Sequence, residues 1–314
     1  MVQISKITVS LMILSFLSST NQAATDLFTS GRFSYNGSIG YLSGKSKEFV
    51  YDSFTGDKIS QLNWKINGEP VIKGELNYKI FSWLDANVQG WTIVSTGNVV
   101  MDDYDWLVPG QYHWSDWSHH EDTDLNQANE FDLNLKAWFL QHDNTALAGI
   151  FGYQRTRFSY VAIGGCYMYN NGESIGCFPS TEKGIGYKQT FSSPYIGIAS
   201  KYFVNSFEFN GVFKFSNWVD ARDVDQHYTR ALTFKEGADD FQFYNMTINA
   251  GYYLRPQIKL FAEGAFNYFP NKKTATTIID HDLRIVEYEG NDSAGLNNRN
   301  MVLAVGISYT PASV

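Results

Sequence analysis

Three stretches of this chain alternate apolar and polar residues with a period of two for roughly ten residues each. Phe207, Phe209, Gly211, Phe213 and Phe215 interleave with Glu208, Asn210, Val212, Lys214 and Ser216. The stretches from Ile258 to Tyr268 and from Phe131 to Leu140 repeat the pattern. Successive strand residues point to opposite faces, so each stretch presents one apolar and one polar or charged face. A strand forming the wall of a polar-centred membrane barrel needs that pattern over about ten residues. A soluble sandwich, the alternative, shows runs nearer five or six. The run lengths favour an all-β, antiparallel transmembrane β-barrel.

Other features agree. The chain is 16% aromatic, with 20 Tyr, 23 Phe and 8 Trp, and has only 7 Pro. The first residues carry Lys6, an apolar run from Ile7 to Leu17, and small residues at Ala23-Ala24. A basic start, a short apolar centre and a small-residue cut define a signal peptide, here residues 1–23. The apolar run is too short for a membrane helix. Cleavage leaves about 291 of the 314 residues and removes Lys6, taking the formal charge from −8 to −9.

The connections are uneven. Those at Gln141 to Thr145, Asn205-Ser206 and Arg255-Pro256 are tight, whereas residues 95–129, 166–183, 219–242 and 269–298 read as long polar loops. Short turns on one side and long external loops on the other suit an outer-membrane barrel of about ten strands. Nothing divides the chain, so residues 24–314 read as one domain.

Two triplets carry chemistry: Asp103-Tyr104-Asp105 and Asp225-Gln226-His227. In extended chain each presents two ionisable groups on one face. His227, oriented by Asp225, and one carboxylate of the pair could hold a water between them, with the imidazole taking its proton during attack on a carbonyl. Two close carboxylates resist double ionisation, so one could stay protonated and donate a hydrogen bond to a developing oxyanion. Such triplets also occur in solvated loops, and spacing alone leaves both readings open. No metal is expected: no oxygen-ligand run matches a calcium loop, and one well-placed histidine is thin for zinc.

A series of further stretches carries a resemblance. They are Leu42-Ser43-Gly44-Lys45 with Lys47-Glu48, Gly90-Trp91-Thr92, His120-Glu121-Asp122-Thr123, and Asn126 through Asn134. Ile185-Gly186-Tyr187-Lys188-Gln189, Pro194-Tyr195-Ile196-Gly197 and Asn249-Ala250-Gly251-Tyr252-Tyr253 follow in order. Together they resemble the omptin family of outer-membrane proteases over nearly the whole mature chain. The resemblance implies a ten-stranded barrel with a proteolytic groove at its outer rim. It assigns catalysis to Asp103, Asp105, Asp225 and His227. Glu48 and Asp223 become an acidic pocket for a basic side chain, Asp116 an acidic contact for the residue after the cut, and His120 a supporting residue. Carboxylates in a pocket would select Arg or Lys, with Arg favoured for bidentate pairing.

The resemblance also implies lipopolysaccharide as activator, with Tyr153 and Arg157 matching the lipid contacts. Arg155 replaces an acidic residue there, and Thr190 and Asp239 stand where basic residues are usual, so an altered lipid dependence is expected. No other cofactor is implied. Cys166 and Cys177 depart from a cysteine-poor family; an even pair in an exported chain suggests a disulfide, with buried free thiols as the alternative. His113, Trp114 and Trp117 crowd the region near Asp116, either as loop packing or as stacking surface for substrate. The expected protein is a monomeric endopeptidase with its active site facing outside, cutting basic peptides or exposed basic loops of host proteins and binding no nucleic acid. The alternative is a non-catalytic barrel serving as adhesin or receptor; a pore is disfavoured because ten strands leave a side-chain-filled lumen.

Overall fold

The computed structural model describes residues 31–312, so the leader and its cut lie outside the described residues. The strands in chain order are β1 (Phe33–Tyr51), β2 (Lys58–Phe81), β3 (Leu84–Ile93), β4 (Gly97–Asp105), β5 (Asp116–His142), β6 (Thr145–Ile163) and β7 (Cys166–Tyr169). Then come β8 (Ser174–Cys177), β9 (Lys183–Val204), β10 (Phe207–His227), β11 (Leu232–Arg255), β12 (Ile258–Asp280) and β13 (Ile285–Tyr309). Every pairing is antiparallel, and β1 pairs with β13 from Tyr35↔Tyr309 to Val50↔Ala294, which closes the ring. β3 and β4 form one stave interrupted at residues 94–96, and the β7–β8 hairpin stands outside the ring on β5, so the wall has ten staves.

The outer face explains the alternation. Ile39, Phe151, Ile198 and Val305 are each 60% exposed or more. Such a belt is unfavourable in water but is what a bilayer solvates. No described helix is long and apolar enough to cross a membrane; the exposed apolar belt lies on strands. Inside the belt, lysines meet carboxylates: Lys214 lies 2.5 Å from Asp132, Lys259 2.7 Å from Glu208, and Lys73 pairs with Glu263. Tyr195 adds its hydroxyl to Asp132 at 2.9 Å, and Asn267 reaches across the lumen to Glu130 at 2.8 Å. Buried ionic groups held in pairs fill the lumen rather than line a channel.

The long polar segments are corrected by the structure. They are mostly strand: β5 runs 27 residues from Asp116, and β10 continues to His227. At about 3.3 Å per residue β5 is about 90 Å long, whereas a membrane needs only about 9–11 residues of each strand. The surplus rises above the belt. There both faces are wet, the outer face loses its apolar residues, and the sequence reads as loop although the ladder is unbroken. On β1 the outer face changes from Tyr41 to Ser43, Lys45 and Lys47; Asp103 and Asp105 thus lie on strand β4, not in a loop.

Hydrogen bonds across the upper lumen build a floor. Ser46 meets the Tyr160 hydroxyl at 2.9 Å, Gln189 donates to Lys47 O at 3.2 Å, and Asn298 donates to Gln189 at 3.1 Å. Trp64 stacks between Tyr160 and Tyr187, with ring centroids 5.2 and 5.5 Å away. Everything above this layer opens outward.

Candidate active site

Strand alternation sets the site. On β10, Asp223, Asp225 and His227 occupy every second position and face inward; on β4, Asp103 and Asp105 do the same. His227 Nε2 lies 2.7 Å from Asp225 Oδ2. Its Nδ1 faces the guanidinium of Arg230, on the turn that follows β10. A guanidinium has only N–H groups to offer, so the ring carries its proton on Nε2, toward Asp225, and Nδ1 is the lone pair.

The aspartate pair faces this couple across the groove. Asp103 is raised well above the ordinary carboxylate range by burial, then by the charges of Asp105 and Asp225. Burial also raises Asp105, helped by Asp116 and opposed by Ser60, Arg230 and His227. Ser60, on β2, donates to Asp103 at 3.4 Å. Asp103 and Asp105 thus share a desolvated space where double ionisation is disfavoured.

Beside this groove lies an acidic pocket. Glu48, Asp223 and Glu236 are 1%, 3% and 6% exposed. Tyr187 donates its hydroxyl to Asp223 Oδ2 at 2.8 Å, and Gln189 holds that hydroxyl in turn at 2.8 Å. Burial raises Asp223 to about 7, with the charge of Asp225 adding to it. Burial and then Asp225, Glu236, Asp223 and Asp103 raise Glu48. Glu48 Oε2 and Asp223 Oδ1 are buried without a hydrogen-bond partner.

The remaining predicted residues fall into place around the rim. Asp116 is next to Asp105 in the ladder, with its carboxylate held by the Ser115 hydroxyl at 2.6 Å and the Asn170 backbone N–H at 3.1 Å. His120 meets Ser118 at 3.0 Å and stacks on Phe178. Gly165, at φ +99°, lets the hairpin press against it, since a Cβ there would come within 2.5 Å of His120 Nδ1. His120 touches neither aspartate; it supports the β7–β8 hairpin. Cys166 and Cys177 form a disulfide at the base of that hairpin and are exposed, so the buried-thiol alternative falls. Trp117 faces outward, donating to Asp102 at 3.2 Å and packing on Trp114 and His119, which is loop packing.

Tyr153, Arg155 and Arg157 occupy successive outward positions of β6, climbing from the apolar belt. Thr190 lies beside Arg157, and Asp239 pairs with Arg222. Sequence reasoning missed Arg230 and Glu236. Arg230 is one basic residue in a polar turn and gives no signal. Glu236 was within reach, since counting back from the turn places it opposite Asp223.

A closed ten-stave barrel raising two carboxylate-bearing strands and an Asp/His couple above a membrane belt belongs to the class of outer-membrane barrel hydrolases. The Omptin family model matches residues 29–310. The chain is 45% identical over 294 residues to "Plasminogen activator" of Yersinia pestis, covering 93% of this chain and 94% of that protein. It is 41% identical over 304 residues to "Protease 7" of Escherichia coli (strain K12), covering 94% and 95%. The crystal structure of outer membrane protease OmpT from Escherichia coli superposes with a TM-score of 0.85 at 40% identity, covering 90% of this chain and 98% of that one. The chain belongs to the omptin family and is an outer-membrane protease.

Proposed function

We propose that the protein is an endopeptidase that cuts at or between basic residues, with the groove between β4 and β10 as its catalytic centre. The observation that carries this reading is the pocket beside the Asp225–His227 couple. There Glu48 and Asp223 are buried, and each keeps one carboxylate oxygen without a partner. A basic side chain seated there would lay the adjoining peptide bond along the groove.

The chemistry follows from the geometry. A water held between the anionic member of the Asp103/Asp105 pair and Nδ1 of His227 attacks the carbonyl carbon as its proton passes to Nδ1. Asp225 holds Nε2–H and stabilises the imidazolium that forms. The protonated member of the aspartate pair donates to the oxygen on which negative charge develops. His227 then returns the proton to the leaving amine. Arg230, which faces the same lone pair, must swing aside for the water. Asp116, with its oxygens engaged by its own chain, acts on the residue after the cut through its charge.

The acidic mature chain steers cationic peptides and basic host-protein loops toward the rim. Lipopolysaccharide is the proposed activator, with Tyr153 at the belt and Arg155 and Arg157 at headgroup height above it. Hydrolysis of a quenched Arg-Arg peptide by cells bearing wild type, Asp103→Ala or His227→Ala tests the catalytic reading. Each variant is expected to lose at least about 10³-fold in kcat; equal rates for all three would overturn it.

A further inference from the structure

Other inward-facing carboxylates in this barrel have a partner: Asp132 has Lys214, Glu208 has Lys259, Glu263 has Lys73, Asp225 has His227, and Asp116 is held by Ser115 and the Asn170 N–H. Glu236 breaks that rule. It is buried, its Oε2 has no hydrogen-bond partner, and it faces Asp223 directly across the β10–β11 ladder. Glu48 and Asp223, close enough for their charges to act on it, also have unpartnered oxygens, and none of the three is ion-paired among the described residues. Burying a carboxylate without a counter-charge is unfavourable unless it takes up a proton. A chain that neutralises its structural carboxylates and leaves three bare at one outward-opening place is shaped for a cation from outside.

The groups around Glu236 point the same way. Glu48 faces it from β1, Tyr187 from β9, and Asp223 and Asp225 from β10. Thr276 lies opposite on β12, with Glu289 of β13 across from it in turn. Arg222, Lys235, Lys272 and Lys273 line the same stretch of wall, with Arg222 paired to Asp220 and Asp239 and Lys272 to Asp240, while Arg230 acts on the aspartate pair and lies against His227. Tyr187 fixes Asp223 Oδ2, which leaves Oδ1 for a ligand.

We infer that Glu236 is a specificity-determining residue of this pocket, joining Glu48 and Asp223 in gripping the substrate's basic side chain, and that the side chain enters as a proton leaves. The inference rests on the peptide-cleavage reading above. Three carboxyls crowded out of water cannot all be charged. Burial, then the charges of Asp223 and Asp225, pushes Glu236 well up, and burial raises Asp223 beside it to about 7. An arriving guanidinium or ammonium favours the carboxylate: the O–H bond breaks, the proton passes to solvent, and the ion pair replaces it. Affinity for the basic side chain then rises with pH, by up to about tenfold per pH unit for each proton released.

The test compares kcat/KM for a peptide with Arg at the cleavage position and one with its neutral isostere citrulline, from about pH 6 to 9. Wild type, Glu236→Gln and Glu236→Asp are each measured as the full-length reconstituted protein. Calorimetry of the Arg peptide binding to the His227→Ala protein, with and without Glu236→Gln, in two buffers of different ionisation enthalpy counts the protons. The expected result is an Arg-to-citrulline ratio that grows with pH in wild type. It should fall about tenfold or more in Glu236→Gln through KM, with partial rescue by Glu236→Asp and fewer protons released. A Glu236→Gln protein with the wild-type ratio and proton count would overturn the role of Glu236 alone. A wild type that does not distinguish Arg from citrulline would sink the pocket reading itself, and this inference with it.

Discussion

His227 and Asp225 form a fixed unit: Nε2 of the imidazole stands 2.7 Å from the carboxylate Oδ2, two residues back on the same face of β10. That contact assigns the tautomer and leaves Nδ1 as the base. Asp225→Asn keeps the shape but removes the charge that stabilises the imidazolium, and its amide can turn an NH₂ toward the ring. The variant is expected to lose about 10³-fold in kcat with KM little changed. Steady-state kinetics on the Arg-Arg peptide decide it; a loss under about tenfold contradicts the role given to Asp225.

Arg230 lies against His227 and opposes the upward push on both Asp103 and Asp105. Removing a nearby cation makes each of those groups easier to protonate. Arg230→Gln should therefore move the acidic limb of the kcat/KM profile to higher pH, by a few tenths of a unit to about one. Above that limb the rate should hold or rise, because nothing then competes for Nδ1. An unmoved limb would mean that the guanidinium lies out of reach of the chemistry in solution.

The β7–β8 hairpin touches the wall through three rungs of β5, and its turn donates the Asn170 N–H to Asp116. The Cys166–Cys177 bridge closes this short loop. By the loop-entropy argument the bridge favours the closed hairpin by about 3 kcal/mol. A Cys166→Ser/Cys177→Ser protein should keep the barrel's thermal transition, since no stave depends on the hairpin, but show KM raised several-fold. Unchanged KM alongside an unchanged transition would separate the hairpin from substrate binding.

Arg155 and Arg157 stand one and two outward steps above Tyr153, while Arg222 is already engaged by Asp220 and Asp239. An Arg155→Ser/Arg157→Ser protein should lose activation by bis-phosphorylated lipid A and be indifferent to lipid A stripped of phosphate. Vesicle reconstitution with each lipid separates the outcomes. Equal activation of wild type and variant by the phosphorylated form would remove these residues from the lipid contact.

The membrane part of the barrel was legible because the bilayer forces an apolar face on one side of each strand, as Phe207 to Phe215 show. The upper half was not, because Asp116 to Glu130 has water on its outer face and carries no alternation a hydropathy reading can use. The catalytic pairs were legible as i, i+2 spacings, but facing one another is a property of ring closure. It needed β1 to meet β13, and the family resemblance supplied that expectation before any geometry did. Glu236 is different: counting back from the turn pairs it with Asp223, but its meaning also depends on Glu48, which only ring closure brings near.

The pocket's carboxyls also make stability depend on pH in an unusual direction. Asp223 is raised in the folded protein to about 7 by burial, from an ordinary value near 3.8, and burial also raises Glu48. Between these limits the folded state binds more protons than the unfolded chain, so stability falls as pH rises. The loss begins near pH 4 and is complete for Asp223 a little above pH 7, with Glu48 adding in the same direction; the total is on the order of a few kcal/mol. Most proteins lose stability in the other direction over the acid range, because paired carboxylates must be protonated. Here Glu48→Gln removes one repelling charge. It should raise the melting temperature at about pH 8 and leave it nearly unchanged at about pH 4, where the carboxyls are neutral in both proteins. Thermal scans of the detergent-solubilised protein at the two pH values check this. An equal shift at both would assign the effect to packing, whereas a shift confined to the higher pH would show that the cavity stores charge repulsion, which a basic side chain relieves on entry.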